Sequence, residues 1–313
     1  MTVMGQSAGA GSITHHLTAT SDDDVVPFSR AIIQSPGWEH GNSTEIWETT
    51  LSIASIFSGH PQTMGKNLVD MDFATLNQIN GQVVFQSSNG SFTFGPTPDG
   101  AYVPDFAEAL LLQGHFDSRP KLMIGHNSNE AGLFVSAELD TEEEFVASLA
   151  NFLEELRPDA VDYILNDLYP PPSDATTYST QSERAMLLVS ESSFACNTRY
   201  LAVAFGNSTM NYRFQMPPGI HGQDLPYTFF HKNTTETSVP IPGLAEAMQA
   251  YFTSFAKSGN VNLAGDVQNL IDWPEYGNEA TIVTFGLEGV GTAEDDTMNH
   301  RCDFWQKGDF WQQ

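Results

Sequence analysis

Apolar residues fall into two kinds of grouping along this chain. Short runs closed by glycine, proline or polar residues match strands buried on both faces. Arg30–Ser35 (RAIIQS) stops at Pro36-Gly37, and KLMIGHN from Lys121 breaks into the polar loop SNEAG. Asn211–Met216 and the β-branched Ala280–Phe285 are of the same type, and Met1–Met4 is left as a strand remnant. Helical spacing marks the stretches between. It predicts helices over Ala8–Leu17, rich in small residues, over Asp105–Gln113 up to Gly114, and over Met186–Phe205. Residues 141–168 read as one amphipathic helix, acids on one face and Phe145, Leu149, Phe152 and Leu156 on another, closed by Pro170-Pro171-Pro172. Pro242–Ser258 is a further helix, ended by Gly259-Asn260. Strands alternating with helices predict an α/β protein with a largely parallel sheet. Neither a repeat nor a low-complexity linker interrupts the pattern, so a single domain over residues 1–313 is expected.

Composition narrows the function classes. Hydrophobic content of 40% with 11% aromatics is ample for a real core. The longest apolar runs fall short of a membrane span, so no transmembrane segment is expected. The chain has 12 basic against 39 acidic residues, a net charge of −27 that repels phosphate backbones and anionic lipid surfaces. Nucleic acid is therefore excluded as a partner. Cys196 and Cys302 are too few for a zinc site and are either one bridge or two buried thiols. Sequons begin at Asn42, Asn89, Asn207 and Asn233, which with an even cysteine count tilts toward an extracellular, glycosylated protein. The first residues form no signal peptide, a contradiction that an incomplete N-terminus would resolve.

Candidate chemistry begins at once. Gly5-Gln6-Ser7-Ala8-Gly9 is a G-x-S-x-G match, the pattern of a nucleophile elbow between strand and helix. A serine alone is a poor nucleophile and needs a base and a group to orient that base. His15 and His16 lie on the helix after the elbow, too close in sequence to swing back onto Ser7. His40, His60, His115, His231 and His300 have no distinctive context, and His126 follows a strand but precedes the best acid. His221 sits late in the chain, in a loop bounded by glycine and proline after a strand, and is the best base. Glu130, in the loop after KLMIGHN, is the acid candidate, with a solvated loop carboxylate as its competing reading. Asp224, three residues past His221, suits a local hydrogen bond instead.

These stretches, GQSAGAGSITHHL, NSNEAGLF and GIHGQDLPYTF, together resemble the type-B carboxylesterase/lipase family, which includes cholinesterases and fungal lipases. RAIIQSPG, LIDWPEYGNEATIVTF and RCDFW resemble further family segments in the family's order, from residue 2 to about 305. The resemblance implies an α/β-hydrolase fold and a Ser7–His221–Glu130 triad that cleaves small-molecule or lipid esters through an acyl-enzyme. It implies no metal or other cofactor. The backbone N–H of Ala8 would serve as oxyanion donor, and Leu133, Phe134 and Trp38 fall at or near positions that line the family's substrate gorge. FACNTRY and RCDFW match two segments that a disulfide joins in many members, implying a Cys196–Cys302 pair. Gln6 stands where many members have Glu, a trait shared by fungal-looking members. The resemblance also implies that roughly the C-terminal two thirds of a family domain is present, starting at the elbow. The family's front strands, lid-like disulfide loop and His-Gly-Gly-type oxyanion segment have no counterpart here. The expectation that follows is a 313-residue chain that alone is inactive and poorly soluble. The rival readings are an inactive truncated product and a non-catalytic adhesion or scaffold member; the filled triad positions count against the second.

Overall fold

The structure, a computed structural model, describes residues 1–19, 25–38, 51–52, 68, 70–86, 94–150, 156–232, 239–263, 265, 267, 270–308 and 310. These group into two compact units, Met1–Trp38 with Pro98–Gln313, and Glu39–Thr97. In the second unit the helix Phe73–Gln86 buries Ile79 and Val83 against Leu68 and Met71.

The first unit is built on a sheet of β1 (Thr2–Gln6), β2 (Arg30–Gln34), β3 (Lys121–Asn127), β4 (Met210–Phe214), β5 (Thr281–Gly286) and β6 (Gly289–Glu294), ordered β1-β2-β3-β4-β5-β6. The pairs from β1 to β5 are parallel, and β6 runs antiparallel to β5. Successive strand residues point to opposite faces. Ala31, Ile33, Leu122 and Ile124 therefore join one core with Ile13, Leu17, Leu188 and Leu201 from helices. Ile32, Met123, Tyr212, Phe214, Val283 and Phe285 join the other, against Leu244, Met248, Phe252 and Phe255 of the helix Pro242–Ser258. Both faces are covered, as uninterrupted apolar strands require. The result is an α/β architecture on a largely parallel sheet, as the alternation of strands and helices predicts.

The sequence reading did not contain the helix Phe73–Gln86, and two of the helices it did contain differ in the structure. Residues 141–168 do not form one helix: Glu142–Ser148 and Pro158–Tyr163 are separate, and Ile164–Leu168 is a π-helical turn. The first ends at Ser148, with Leu149 out of helical geometry at φ −107°, ψ 2°; Pro158 fixes the start of the second, because proline pushes its predecessor out of the helical region and Arg157 is extended at φ −62°, ψ 141°. Phe145, Leu149 and Leu156 are buried in the core as expected, while Phe152 lies outside the described residues. The second departure lies in the Met186 helix, which starts earlier, at Gln181 capped by the Thr180 side chain, and reaches Ala204 through a π-helical turn at Glu191–Ala195. The strand β6 has only Val290 and Ala293 as apolar residues, and the helix His300–Trp305 is too short for a helical period to show.

Cys196 and Cys302 are bonded, with Cα atoms 5.2 Å apart across a sequence separation of 106. Of the four sequons, Asn207 is described, in a left-handed turn at φ 61° after the helix ending at Ala204; the other three lie outside the described residues.

Candidate active site

The carboxyl ends of β1, β3 and β4 bring the chemistry together. At the end of β1 the chain turns sharply into α1 (Ala8–Thr18), and Ser7 takes φ 58°, ψ −127°. That conformation costs a residue with a side chain about 1–3 kcal/mol, and hydrogen bonds hold it in place. Ser7 N–H donates to Gln34 O at 2.9 Å, and Ser7 O accepts from Gly11 N–H at 2.9 Å and Gly37 N–H at 3.3 Å. Gly5 is required on steric grounds, since a Cβ there would overlap the Gly9 carbonyl. Ala8 is the first residue of α1, so its N–H has no acceptor within the helix.

Beyond β3 and β4 the two loops are zipped together. Ser128 N–H donates to Phe214 O at 2.9 Å and Asn129 N–H to Gly219 O at 2.8 Å. Gly219 has φ +72°, and a Cβ there would strike Ser128 Oγ. This pairing carries Glu130, on a 3-10 turn over Glu130–Leu133, to His221. Glu130 is fully buried; its Oε1 accepts from the Asn127 N–H and its Oε2 meets His221 Nδ1, each at 2.5 Å. Ser190 Oγ accepts from the next N–H, that of Ala131, at 3.0 Å.

His221 Nε2 lies 3.1 Å from Gln6 Nε2. An amide nitrogen only donates, so Nε2 of the imidazole is the acceptor and the ring proton sits on Nδ1, facing Glu130. That is the tautomer a general base needs. Ser7 follows Gln6 in the chain, and its side chain makes no hydrogen bond among the described residues.

Two aromatic rings cover the imidazole. Phe134 lies 5.4 Å and Phe194 4.4 Å from it, centroid to centroid, and the two phenyl rings stack at 5.6 Å. Phe194 is carried by the π-helical turn, whose extra residue rotates the side chains that follow it. The sequence gives no sign of this residue, because an apolar helical position looks the same whether it faces the core or a site. Leu133 is 57% exposed beside the turn, whereas Trp38 does not share the cluster. Its indole is buried in the core and its Nε1 donates to Glu108 Oε2 at 3.0 Å.

Beneath the Glu130–His221 pair lies a second buried carboxyl group, Asp224, held by Gln34 and Tyr212. Burial, and secondarily the charge of Glu130, hold its pKa above the ordinary aspartate value. Burial and the Asp224 charge push the Tyr212 phenol well up. Among the described residues no cluster of three or more His, Cys, Asp and Glu side chains has an arrangement suited to a metal ion.

The profile of the carboxylesterase family matches residues 1–305. The chain belongs to that family. The carboxylesterase PatB of Penicillium expansum is 31% identical over 313 residues, covering 99% of this chain and 54% of its own length. A secreted lipase of Arthroderma benhamiae is 26% identical, covering 97% of this chain and 59% of its own length. This carboxylesterase-family chain thus spans about half the length of the curated relatives it matches. Among solved structures, Aspergillus niger EstA superposes with a TM-score of 0.79 at 20% identity, covering 97% of this chain and 63% of that one. At that identity the likeness establishes the fold.

Proposed function

We propose that the protein of which these residues form part is a serine hydrolase of carboxylic esters, with Ser7 as nucleophile, His221 as general base and Glu130 as the group that orients it. The observation that carries this reading is the Glu130–His221 contact, sealed from water on the carboxylate side, beside a strained serine at a strand-to-helix turn. His221 Nε2 takes the Ser7 hydroxyl proton as Oγ attacks the ester carbonyl; Ala8 N–H, at the positive end of α1, donates to the developing oxyanion. The alcohol leaves with the proton from His221, and water then cleaves the acyl-enzyme with His221 again as base. Glu130 holds Nδ1 through its Oε2 contact and stabilises the transient imidazolium. Phe134 and Leu133 are the proposed apolar walls of the substrate site, and a small-molecule or lipid ester is the proposed substrate. The name of the secreted lipase relative and the bonded cysteines support an extracellular parent.

A fluorophosphonate probe tests the assignment directly. It is expected to label Ser7, and labelling at another serine with Ser7 untouched would overturn it.

A further inference from the structure

We infer that Asp224, a side chain with no part in the acyl-transfer steps, is a positioning residue that braces the three loops of the proposed triad against one another. The inference rests on the hydrolase reading above.

Asp224 is completely buried, yet its partners come from three different strands. At the end of β2, Gln34 Nε2 donates to Asp224 Oδ2 at 2.8 Å. From β4, the Tyr212 hydroxyl donates to the same oxygen at 2.9 Å while itself accepting from Gln34 Nε2 at 3.1 Å. At the end of β3, Asn127 Nδ2 lies 3.4 Å from Asp224 Oδ1 and 3.1 Å from Ser35 Oγ. Each of these strands serves one part of the site. The Gln34 carbonyl receives the Ser7 N–H. The Asn127 N–H clamps Glu130 Oε1. Asp224 itself ends the loop that carries His221.

Both amides turn their nitrogens toward Asp224, leaving Gln34 Oε1 and Asn127 Oδ1 buried without a partner among the described residues. A carboxylate draws both amide nitrogens in this way, because charge-assisted hydrogen bonds are roughly twice as strong as neutral ones. The titratable groups that the surrounding elements bring to this carboxylate are Glu130 beyond β3 and Tyr212 on β4; Gln34, Asn127 and Thr228 are neutral. Asp224 thus places a second negative charge close enough to Glu130 for the two to interact, and that charge favours the imidazolium that forms in the transition state.

Asp224→Asn keeps the shape and removes the charge. Kinetics on p-nitrophenyl butyrate should show kcat lowered about tenfold to a hundredfold, with KM changed by less than about threefold. The acid limb of the kcat/KM profile should move to lower pH, because a charge that favoured imidazolium is gone. Tyr212→Phe keeps the charge and drops one donor; it should lower kcat by a smaller factor and leave the limb in place. Melting curves check that both variants fold, and if Asp224→Asn does not, Tyr212→Phe carries the test alone. An Asp224→Asn enzyme with wild-type kcat, acid limbs that coincide in the two variants, or an unchanged kcat in a folded Tyr212→Phe would each overturn the assignment. Failure of the wild type to react with fluorophosphonate at Ser7 would instead sink the hydrolase reading, and this one with it.

Discussion

Two buried carboxyl groups lie close to His221, and their hydrogen bonds give them different tasks. Glu130 meets the imidazole itself, whereas the Asp224 side chain meets Gln34 of β2, Asn127 of β3 and Tyr212 of β4. The proposed triad should behave as one unit. Ser7→Ala or His221→Ala alone should lower kcat by about 10³-fold or more, and the double variant should be hardly worse than either single one. Effects on ester turnover that simply multiply would argue against a shared mechanism. Asp224 makes a separate prediction about stability. Its folded-state pKa is raised, so its contribution is fully present below the ordinary aspartate range and is lost as pH rises through the folded value. Asp224→Asn removes that loss. The melting temperature of the variant relative to wild type should therefore rise as the pH climbs above the ordinary aspartate range; a relative value that falls instead would contradict the raised pKa.

At the scale of elements, the elbow depends on close approach between strand and helix. Gly5 has no room for a methyl group because the neighbour is the Gly9 backbone, which cannot swing aside. Gly5→Ala should lose about 1–3 kcal/mol on denaturant unfolding. Gly9 is the contrast: a Cβ there meets nothing within 4 Å among the described residues, and it lies in the first turns of α1. Gly9→Ala should stabilise this chain by about 0.5–1 kcal/mol. Equal losses at both positions would mean the elbow geometry is misassigned. The strands β1 to β5 were legible in the sequence within a residue or two, since short apolar runs ended by Gly, Pro or polar residues have few alternatives. Helix boundaries were less so. Periodicity carried the 141–168 reading across Pro158, where the backbone of Arg157 turns extended, and it held no trace of the π-helical turn that aims Phe194.

At the scale of the molecule, the Cys196–Cys302 bond closes a span of 106 positions between two helices of one core. Loop-closure reasoning gives an upper figure of about 4–5 kcal/mol for it. The double variant Cys196→Ala, Cys302→Ala should unfold at lower denaturant by up to that amount, and a non-reducing peptide map of the wild type should recover the cross-linked pair. Free thiols at both positions in oxidising medium would refute the bond and weaken the extracellular placement.

The sequence by itself determined the alternation of strands and helices, the elbow around Ser7, and Glu130 and His221 as the acid and base to test. These are read locally, because strand periodicity, a turn's glycines and a loop's polar residues depend on near neighbours in the chain. Tertiary structure alone decided the rest. It turned Gln6 onto His221 across 215 positions of sequence, brought Phe194 over the imidazole, sent Trp38 into the core, and gathered Gln34, Asn127 and Tyr212 around Asp224. Each of these contacts joins residues from different strands or helices, and no local pattern states which strand lies beside which. The parallel order of β1 to β4 is what places those strand ends side by side.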